Sequence, residues 1–129
     1  EREPINPLSV PNAIYCHPEI ASVGMTEEQA KTAGIKIKIA KLPFSANPRA
    51  VIQNEMDGFV KLISEEAHGS ILGAHLIGPG ATELISEFVL AKSLEARTLD
   101  IKRAIHPHPT LSESVMEAGG AIFDQAIHI

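Results

Sequence analysis

The chain contains few of the side chains that mark several common classes of protein. Its 129 residues include one cysteine, one tyrosine and no tryptophan. A single cysteine excludes an internal disulfide and a thiolate pair for a metal ion. Eleven basic residues stand against sixteen acidic ones, a net charge of −5, and no basic cluster or aromatic platform is present. We therefore expect no nucleic-acid partner.

Two further absences narrow the function. No apolar run is long enough for a transmembrane helix, and no signal-like segment opens the chain. We therefore expect no membrane partner and a location in the cytoplasm, or in the mitochondrial matrix of a eukaryote. No Gly-x-Gly-x-x-Gly follows a predicted strand, so the chain lacks a dinucleotide-binding fingerprint.

The hydrophobic pattern predicts one α+β domain with an antiparallel sheet of about five strands and flanking helices. Hydrophobic residues make up 44% of the chain, enough for a core of its own. The proline-rich residues 1–11 are unpatterned, which predicts a linker before a domain over 12–129. Strands are predicted over 13–16, 20–23, 35–39, 59–64 and 71–77, and helices over 26–34, 48–53, 81–96, 98–103 and 111–126.

Some side chains carry more specific expectations. The strict alternation over 35–39 is typical of a half-buried strand, with its isoleucines on one face. Lys92 belongs to the polar side of the 81–96 helix. His75 alternates with apolar neighbours, which favours a structural histidine over a ligand. Asn47 before Pro48 is typical of a helix N-cap, and we favour this packing role over a catalytic one.

The most informative segment is the string HPHPTLSE over 106–113. Each proline fixes φ and removes a backbone donor, so His106 and His108 lie on a stiff, non-helical segment. This suits proton transfer, provided that a second group orients the imidazole, and Glu113 is placed to do so for His108. Thr110 and Glu113 also have the spacing of a capping box, the commoner pattern, and both roles can hold in part.

A metal site is the other interpretation of two alternating histidines. His17, His68, His75 and His128 are the further candidate ligands. Because they are scattered without ligand spacing and Cys16 has no partner thiol, we expect no metal.

Together with three other stretches, HPHPTLSE resembles the flavin-dependent pyridine nucleotide-disulfide oxidoreductases. The other stretches are HPEIASVGMTE over 17–27, PFSANPRA followed by GFVKLI within 43–63, and GAHLIGP through Glu83 over 73–83. The histidine at 106 is most similar to the dihydrolipoyl dehydrogenase branch, whereas glutathione reductase-like members usually lack it. Cys16, Pro48 and Pro107 depart from the usual threonine, small polar residue and alanine of that branch.

The resemblance implies that the chain is the dimerisation domain of a homodimer and that nucleotide-binding domains precede it. It implies that His108 and Glu113 are the catalytic base pair of the partner's active site and that His106 lines the substrate channel. It also implies that the backbone of His108 and Pro109 contacts the partner's flavin and that the His108–Pro109 peptide bond is cis. The wide apolar faces of the 81–96 and 111–126 helices independently predict a symmetric dimer.

The cofactors implied for the full-length enzyme are FAD and NAD, with none bound by this chain alone, which we expect to be inactive. The implied reaction is the oxidation of dihydrolipoamide by NAD+. The implied partners are lipoyl-bearing acyltransferases or glycine-cleavage components. Two alternatives stay open: another disulfide reductase of the family, such as a glutathione reductase-like enzyme, and a purely structural dimerisation module.

Overall fold

A single five-stranded sheet is the framework of the chain in the computed structural model, which describes residues 4–128. All strand pairs are antiparallel and the strand order is β1-β2-β5-β4-β3. The predicted α+β class with about five strands is therefore confirmed. The strands are β1 Asn12–Ile14, β2 Ile20–Gly24, β3 Ile37–Pro43, β4 Phe59–Glu65 and β5 Ile71–Ile77.

Five α-helices connect and cover this sheet within residues 4–128. They are α1 Glu27–Thr32, α2 Pro48–Gln53, α3 Ala81–Ser93, α4 Thr98–Arg103 and α5 Glu113–Ala121. Short 3₁₀ turns at Pro7–Ser9 and Phe44–Ala46 were not predicted. None of the helices among the described residues is long and apolar enough to cross a membrane.

The core lies between one face of the sheet and two helices. The antiparallel register puts alternate residues of β2 to β5 on that face, where α3 covers β2 and β5 and α5 covers β3 and β4. Burying these side chains supplies the main favourable free energy of folding. Fully buried members of this core include Val23, Val60, Leu62, Leu76, Phe88 and Val115, each at most 1% exposed.

The position of β3 differs from the prediction. The strand begins two residues later than expected and continues to Pro43, because β4 pairs with it along its whole length. Ile39 is 39% exposed, whereas Ala40 and Leu42 face the core. The isoleucines of β3 share one face, as the alternation predicts, but the adjacent apolar pair Ile39–Ala40 changes the phase of the pattern, so the buried face is that of Ala40 and Leu42.

Two helices end earlier than their apolar patterns predict. α3 ends at Ser93 rather than 96, with Glu95 at φ 54°, and α5 ends at Ala121 rather than 126, with Asp124 at φ 55°. In both cases a residue in the left-handed region lets later N–H groups bond to carbonyls of the last turn. Neither residue is glycine, so the sequence gives no signal of this kind.

The apolar face of α5 is buried within this one chain. Val115, Ala118 and Ile122 are buried against the sheet within one chain, so the apolar face of this helix does not by itself indicate a dimer. Leu90 and Leu94 at the end of α3 are 59% and 70% exposed. Unpartnered apolar surface therefore lies beside α3 rather than along α5.

Two polar residues of the sheet and α3 illustrate how tertiary contacts override local pattern. Lys92, predicted on the polar side, turns inward and donates hydrogen bonds from Nζ to the carbonyls of Ile71 and Leu72. Burial lowers the pKa of Lys92. His75 lies 3.0 Å through Nε2 from the carbonyl of Met25, which confirms its structural role.

Glu19 is a helix cap that sequence analysis missed. Its carboxylate accepts hydrogen bonds from the backbone N–H and the hydroxyl of Thr82, in the first turn of α3. Gly80, the N-cap position itself, has no side chain to do this. Part of the 17–27 stretch therefore serves to start α3.

We predict that Gly119→Ala destabilises the chain by about 1–3 kcal/mol through overpacking. A methyl group there would lie 3.1–3.2 Å from three atoms of α4, two of them backbone atoms. In an uncrowded helix the same change would stabilise by roughly 1 kcal/mol, so the sign is diagnostic. Urea unfolding measures it, with Ser86→Ala on exposed α3 surface as control. An unchanged or higher stability of the Gly119 variant would contradict the close contact between α4 and α5.

We also predict that Glu27 contributes stability that is lost in acid. Its carboxylate bonds to Lys31 and Lys61 at 2.6 and 2.8 Å, and these contacts lower the pKa of Glu27 to about 2. Because the folded pKa is depressed, the contribution is complete above the unfolded pKa and disappears as the pH falls toward the folded one. The difference in unfolding free energy between wild type and Glu27→Gln should shrink over that interval. The control is Glu28→Gln, and an equal pH dependence there would sink the prediction.

Candidate active site

Residues 106–112 of the HPHPTLSE string lie in the loop between α4 and α5, and Glu113 begins α5. Pro107, His108 and Pro109 are exposed, and the His108–Pro109 peptide bond is cis, as predicted. The His17–Pro18 bond is also cis, which was not predicted. The two prolines on either side of His108 leave its backbone outside any helix or strand.

His108 and Glu113 are brought together at the start of α5. Nδ1 of His108 lies 3.0 and 3.2 Å from the two carboxylate oxygens of Glu113. The histidine side chain is 62% exposed, whereas the glutamate side chain is only 7% exposed. A buried carboxylate thus holds one ring nitrogen, while the opposite edge of the ring faces solvent.

The charge of Glu113 is set by competing effects. Burial opposes its ionisation, but the N–H of Thr110 at 2.9 Å and the ring of His108 outweigh burial and hold the pKa of Glu113 below its ordinary value. An ionised carboxylate can only accept hydrogen bonds. Nδ1 of His108 is therefore the donor, which leaves the lone pair of the neutral ring on Nε2.

The alternative of a capping box holds in part. Glu113 accepts the N–H of Thr110, which is one half of the box. The other half is absent, because the Thr110 hydroxyl donates to the carbonyl of Pro107 instead of accepting a backbone N–H of α5. One carboxylate therefore serves both the histidine and the helix start, as its two oxygens allow.

His106 is turned toward α3. Its Nε2 lies 2.8 Å from Oε1 of Glu87, its Nδ1 lies 2.9 Å from the carbonyl of Ala104, and its side chain is 8% exposed. Sequence analysis missed Glu87, because nineteen residues separate the pair and Glu87 matches the ordinary polar side of α3. Within one chain, His106 anchors the loop to α3.

Asn47 contacts the site from the start of α2. Its Oδ1 accepts the N–H groups of Arg49 and Ala50, which confirms the predicted N-cap of α2. Its Nδ2 donates to the carbonyl of Thr110 at 3.0 Å and to Oγ of Ser114 at 2.8 Å. The sequence pattern indicates the cap but not this long-range contact.

A third histidine–carboxylate pair closes the last helix. Glu117 is 4% exposed and its carboxylate accepts the N–H of Ile127 and contacts Nδ1 of His128 at 3.0 Å. Sequence analysis did not single out Glu117. These contacts hold Ile127 and His128 against α5, one turn beyond Glu113, and so support the helix that carries the site.

The chemistry available to these residues is the transfer of one proton. Across residues 4–128 no three histidine, cysteine, aspartate or glutamate side chains are grouped to hold a metal ion. Cys16 is exposed and is the only cysteine of the sequence. His108, with one nitrogen anchored and the other open, is the residue that can act on a ligand approaching from outside.

Comparisons with known proteins show the family of the chain. The family model described as "Pyridine nucleotide-disulphide oxidoreductase, dimerisation domain" matches residues 10–119. Dihydrolipoyl dehydrogenase of Bacillus subtilis is 49% identical over 97% of this chain and 26% of its own length. The mitochondrial dihydrolipoyl dehydrogenase of Sus scrofa is also 49% identical, over 92% of this chain and 24% of its own length.

Solved structures share the fold. The crystal structure of LpdA from Mycobacterium tuberculosis superposes with a TM-score of 0.87 at 27% identity, over 93% of this chain and 26% of that one. The HOCl-induced flavoprotein disulfide reductase RclA from Escherichia coli superposes with a TM-score of 0.82 at 32% identity, over 85% of this chain and 25% of that one. The chain thus spans about a quarter of the length of the relatives it matches. With most of its length matched by one family model, the chain belongs to the dimerisation-domain family of the pyridine nucleotide-disulphide oxidoreductases.

Proposed function

We propose that this domain is the C-terminal part of a dihydrolipoyl dehydrogenase and supplies the catalytic base to the active site of the partner subunit in a homodimer. The reaction is the oxidation of dihydrolipoamide by NAD+, giving lipoamide, NADH and a proton. The observation that carries the proposal is the His108–Glu113 pair, with Nδ1 held by a buried carboxylate and the rest of the ring open.

His108 acts as the base. Its Nε2 accepts the proton from a thiol of dihydrolipoamide, and the resulting thiolate is the species that attacks a disulfide. The ring then carries a positive charge beside Glu113, whose ionised carboxylate stabilises it. Glu113 also prevents the ring from rotating, so that Nε2 keeps one direction of approach.

The cofactors are FAD and NAD, held by nucleotide-binding domains outside this chain. This chain has no fingerprint glycines and no second cysteine, so its residues do not cradle a dinucleotide. The exposed backbone of His108 and Pro109 fits a surface against the partner's flavin. The chemistry that FAD would supply when bound is the passage of the electron pair from the substrate sulfurs to NAD+.

The exposed surfaces favour a second copy of the chain as the nearest partner. The side chain of His108 is mostly exposed in a single chain. Because a base acts best where water is excluded, its function requires a partner that covers it. Leu90 and Leu94 on α3 and Ile105, which is 98% exposed beside His106, are apolar groups that a partner subunit would cover. His106 lies next to this surface and lines the route to the active site.

The remaining assignments follow from this function. Residues 12–129 form the dimerisation domain and residues 1–11 connect it to the nucleotide-binding domains. The partners are lipoyl-bearing acyltransferases or glycine-cleavage components, in the cytoplasm or the mitochondrial matrix. Turnover of dihydrolipoamide, and not of glutathione or mercuric ion, distinguishes this assignment from other reductases of the family and from a purely structural module.

In the full-length enzyme, we predict that His108→Gln lowers kcat for dihydrolipoamide by about 10²–10⁴-fold, the usual contribution of a general base. Sedimentation should show an intact dimer, because the removed group contributes to chemistry rather than to association. His68→Gln, in the exposed turn between β4 and β5, is the control and should keep wild-type turnover. Full activity of the His108 variant would refute the catalytic assignment.

Glu113→Gln should reduce turnover less than His108→Gln does. Removing the negative charge makes the protonated ring less stable, so the acid limb of the kcat/KM profile should move to lower pH. The measurement is kcat/KM from pH 5 to 9, roughly the range in which histidine titrates. A variant that loses only stability, with an unchanged pH profile, would leave Glu113 as a helix cap alone.

A further inference from the structure

We infer that Asn47 is a positioning residue that holds the His108–Glu113 pair in its working geometry. The inference rests on the proposed function of His108 and Glu113. Its basis is a direct contact: the side-chain amide of Asn47 reaches 63 and 67 residues along the sequence to bond Thr110 and Ser114. These two residues flank Glu113.

Every hydrogen-bonding position of the Asn47 amide is used. Oδ1 accepts two N–H groups of α2, and Nδ2 donates to the carbonyl of Thr110 and to Oγ of Ser114. An asparagine side chain has two donor positions and one acceptor oxygen with two lone pairs. With only 3% of the residue exposed, water cannot replace these partners easily. The orientation of the amide is therefore fixed by four contacts.

The Asn47 contact is transmitted to the histidine through one residue, Thr110, and one carboxylate, that of Glu113. Thr110 is bonded on both sides, with its carbonyl accepting from Asn47 and its N–H donating to Oε2 of Glu113. Glu113 in turn holds Nδ1 of His108. The direction of the carboxylate thus depends on where Thr110 and Ser114 lie, and Asn47 fixes both.

Asn47 and Glu87 hold opposite ends of the loop. Among the described residues, Glu87 reaches His106 from α3, and Asn47 reaches Thr110 from the start of α2. His108 lies between these two anchors and is itself exposed. The loop keeps one shape around an accessible base because its flanks, rather than the base, are attached to the domain.

A cap alone does not need an asparagine. Serine and aspartate cap helices about as well, because the cap requires only an oxygen acceptor. The two donor contacts to Thr110 and Ser114 require the amide nitrogen. Asn47→Ser therefore keeps the cap of α2 and removes the amide contacts with the site. Asn47→Asp also keeps the cap and nearly the same shape, but its second carboxylate oxygen cannot donate to the carbonyl of Thr110, although the hydroxyl of Ser114 can still donate to it.

The test is steady-state kinetics of the full-length enzyme with dihydrolipoamide and NAD+. Asn47→Ser should lower kcat about tenfold or more, since a small misplacement of a catalytic group has effects up to roughly 10²-fold. KM for NAD+ should not change. The acid limb of kcat/KM should move to lower pH, as for Glu113→Gln, because the carboxylate no longer supports the protonated ring. Asn47→Asp should also lower kcat.

Thr26→Ala is the control for the loss of a helix cap. Thr26 caps α1 through a capping box outside the site, so this variant should lose stability and keep the kinetics. A double-mutant comparison is the second readout. In a Glu113→Gln background, Asn47→Ser should have a much smaller effect than in wild type, because Asn47 acts through Glu113.

Three results would overturn the inference. The first is wild-type kinetics in Asn47→Ser, and the second is a loss of stability in that variant with an unchanged pH profile. The third is an effect of equal size in both backgrounds, which would separate Asn47 from Glu113. If His108→Gln is itself fully active, the proposed function fails instead, and this outcome is distinct from the other three.

Discussion

A buried carboxylate at the start of a helix is the interaction on which the site depends. Glu113 accepts the N–H of Thr110 and the Nδ1 proton of His108, and its pKa is held below the ordinary value despite burial. An ionised glutamate is favourable there because a helix N-terminus attracts negative charge. The same group that satisfies the helix start also orients the histidine. A side chain at 113 that served only one of these functions would leave either the start of α5 less stable or the imidazole ring of His108 without an orienting partner.

The rest of the fold keeps this carboxylate in place. α5 lies on the sheet through Val115, Ala118 and Ile122, and it contacts α4 so closely that a methyl group at 119 would lie 3.1–3.2 Å from atoms of α4. Asn47 approaches from the start of α2 and Glu87 from α3, so three helices support one exposed loop. The packing of a small α+β domain thus produces a rigid base whose reactive edge faces outward, where a second subunit can meet it.

Much of the fold and of the candidate site could be predicted from the sequence, because the local sequence signals favour the same elements that the long-range contacts stabilise. The His-Pro string, the Asn47–Pro48 cap and the hairpin of β4 and β5 all have local signatures. The failures have physical causes. The phase of β3 changes at an apolar pair, α3 and α5 end on non-glycine residues of positive φ, and Lys92 buries its ammonium against β5. Glu87 and the amide of Asn47 meet the loop only through tertiary structure, and no spacing rule indicates such contacts.

The tautomer of His108 tests the central claim most directly. The claim is that Glu113 holds the Nδ1 proton and leaves the lone pair on Nε2, where a thiol proton can be accepted. ¹⁵N chemical shifts of the neutral ring in histidine-labelled protein report which nitrogen carries the proton. The Nδ1–H tautomer is expected in the wild type, and its loss is expected in Glu113→Ala, where position 113 offers no side-chain acceptor. A neutral ring with its proton on Nε2 in the wild type would contradict the account.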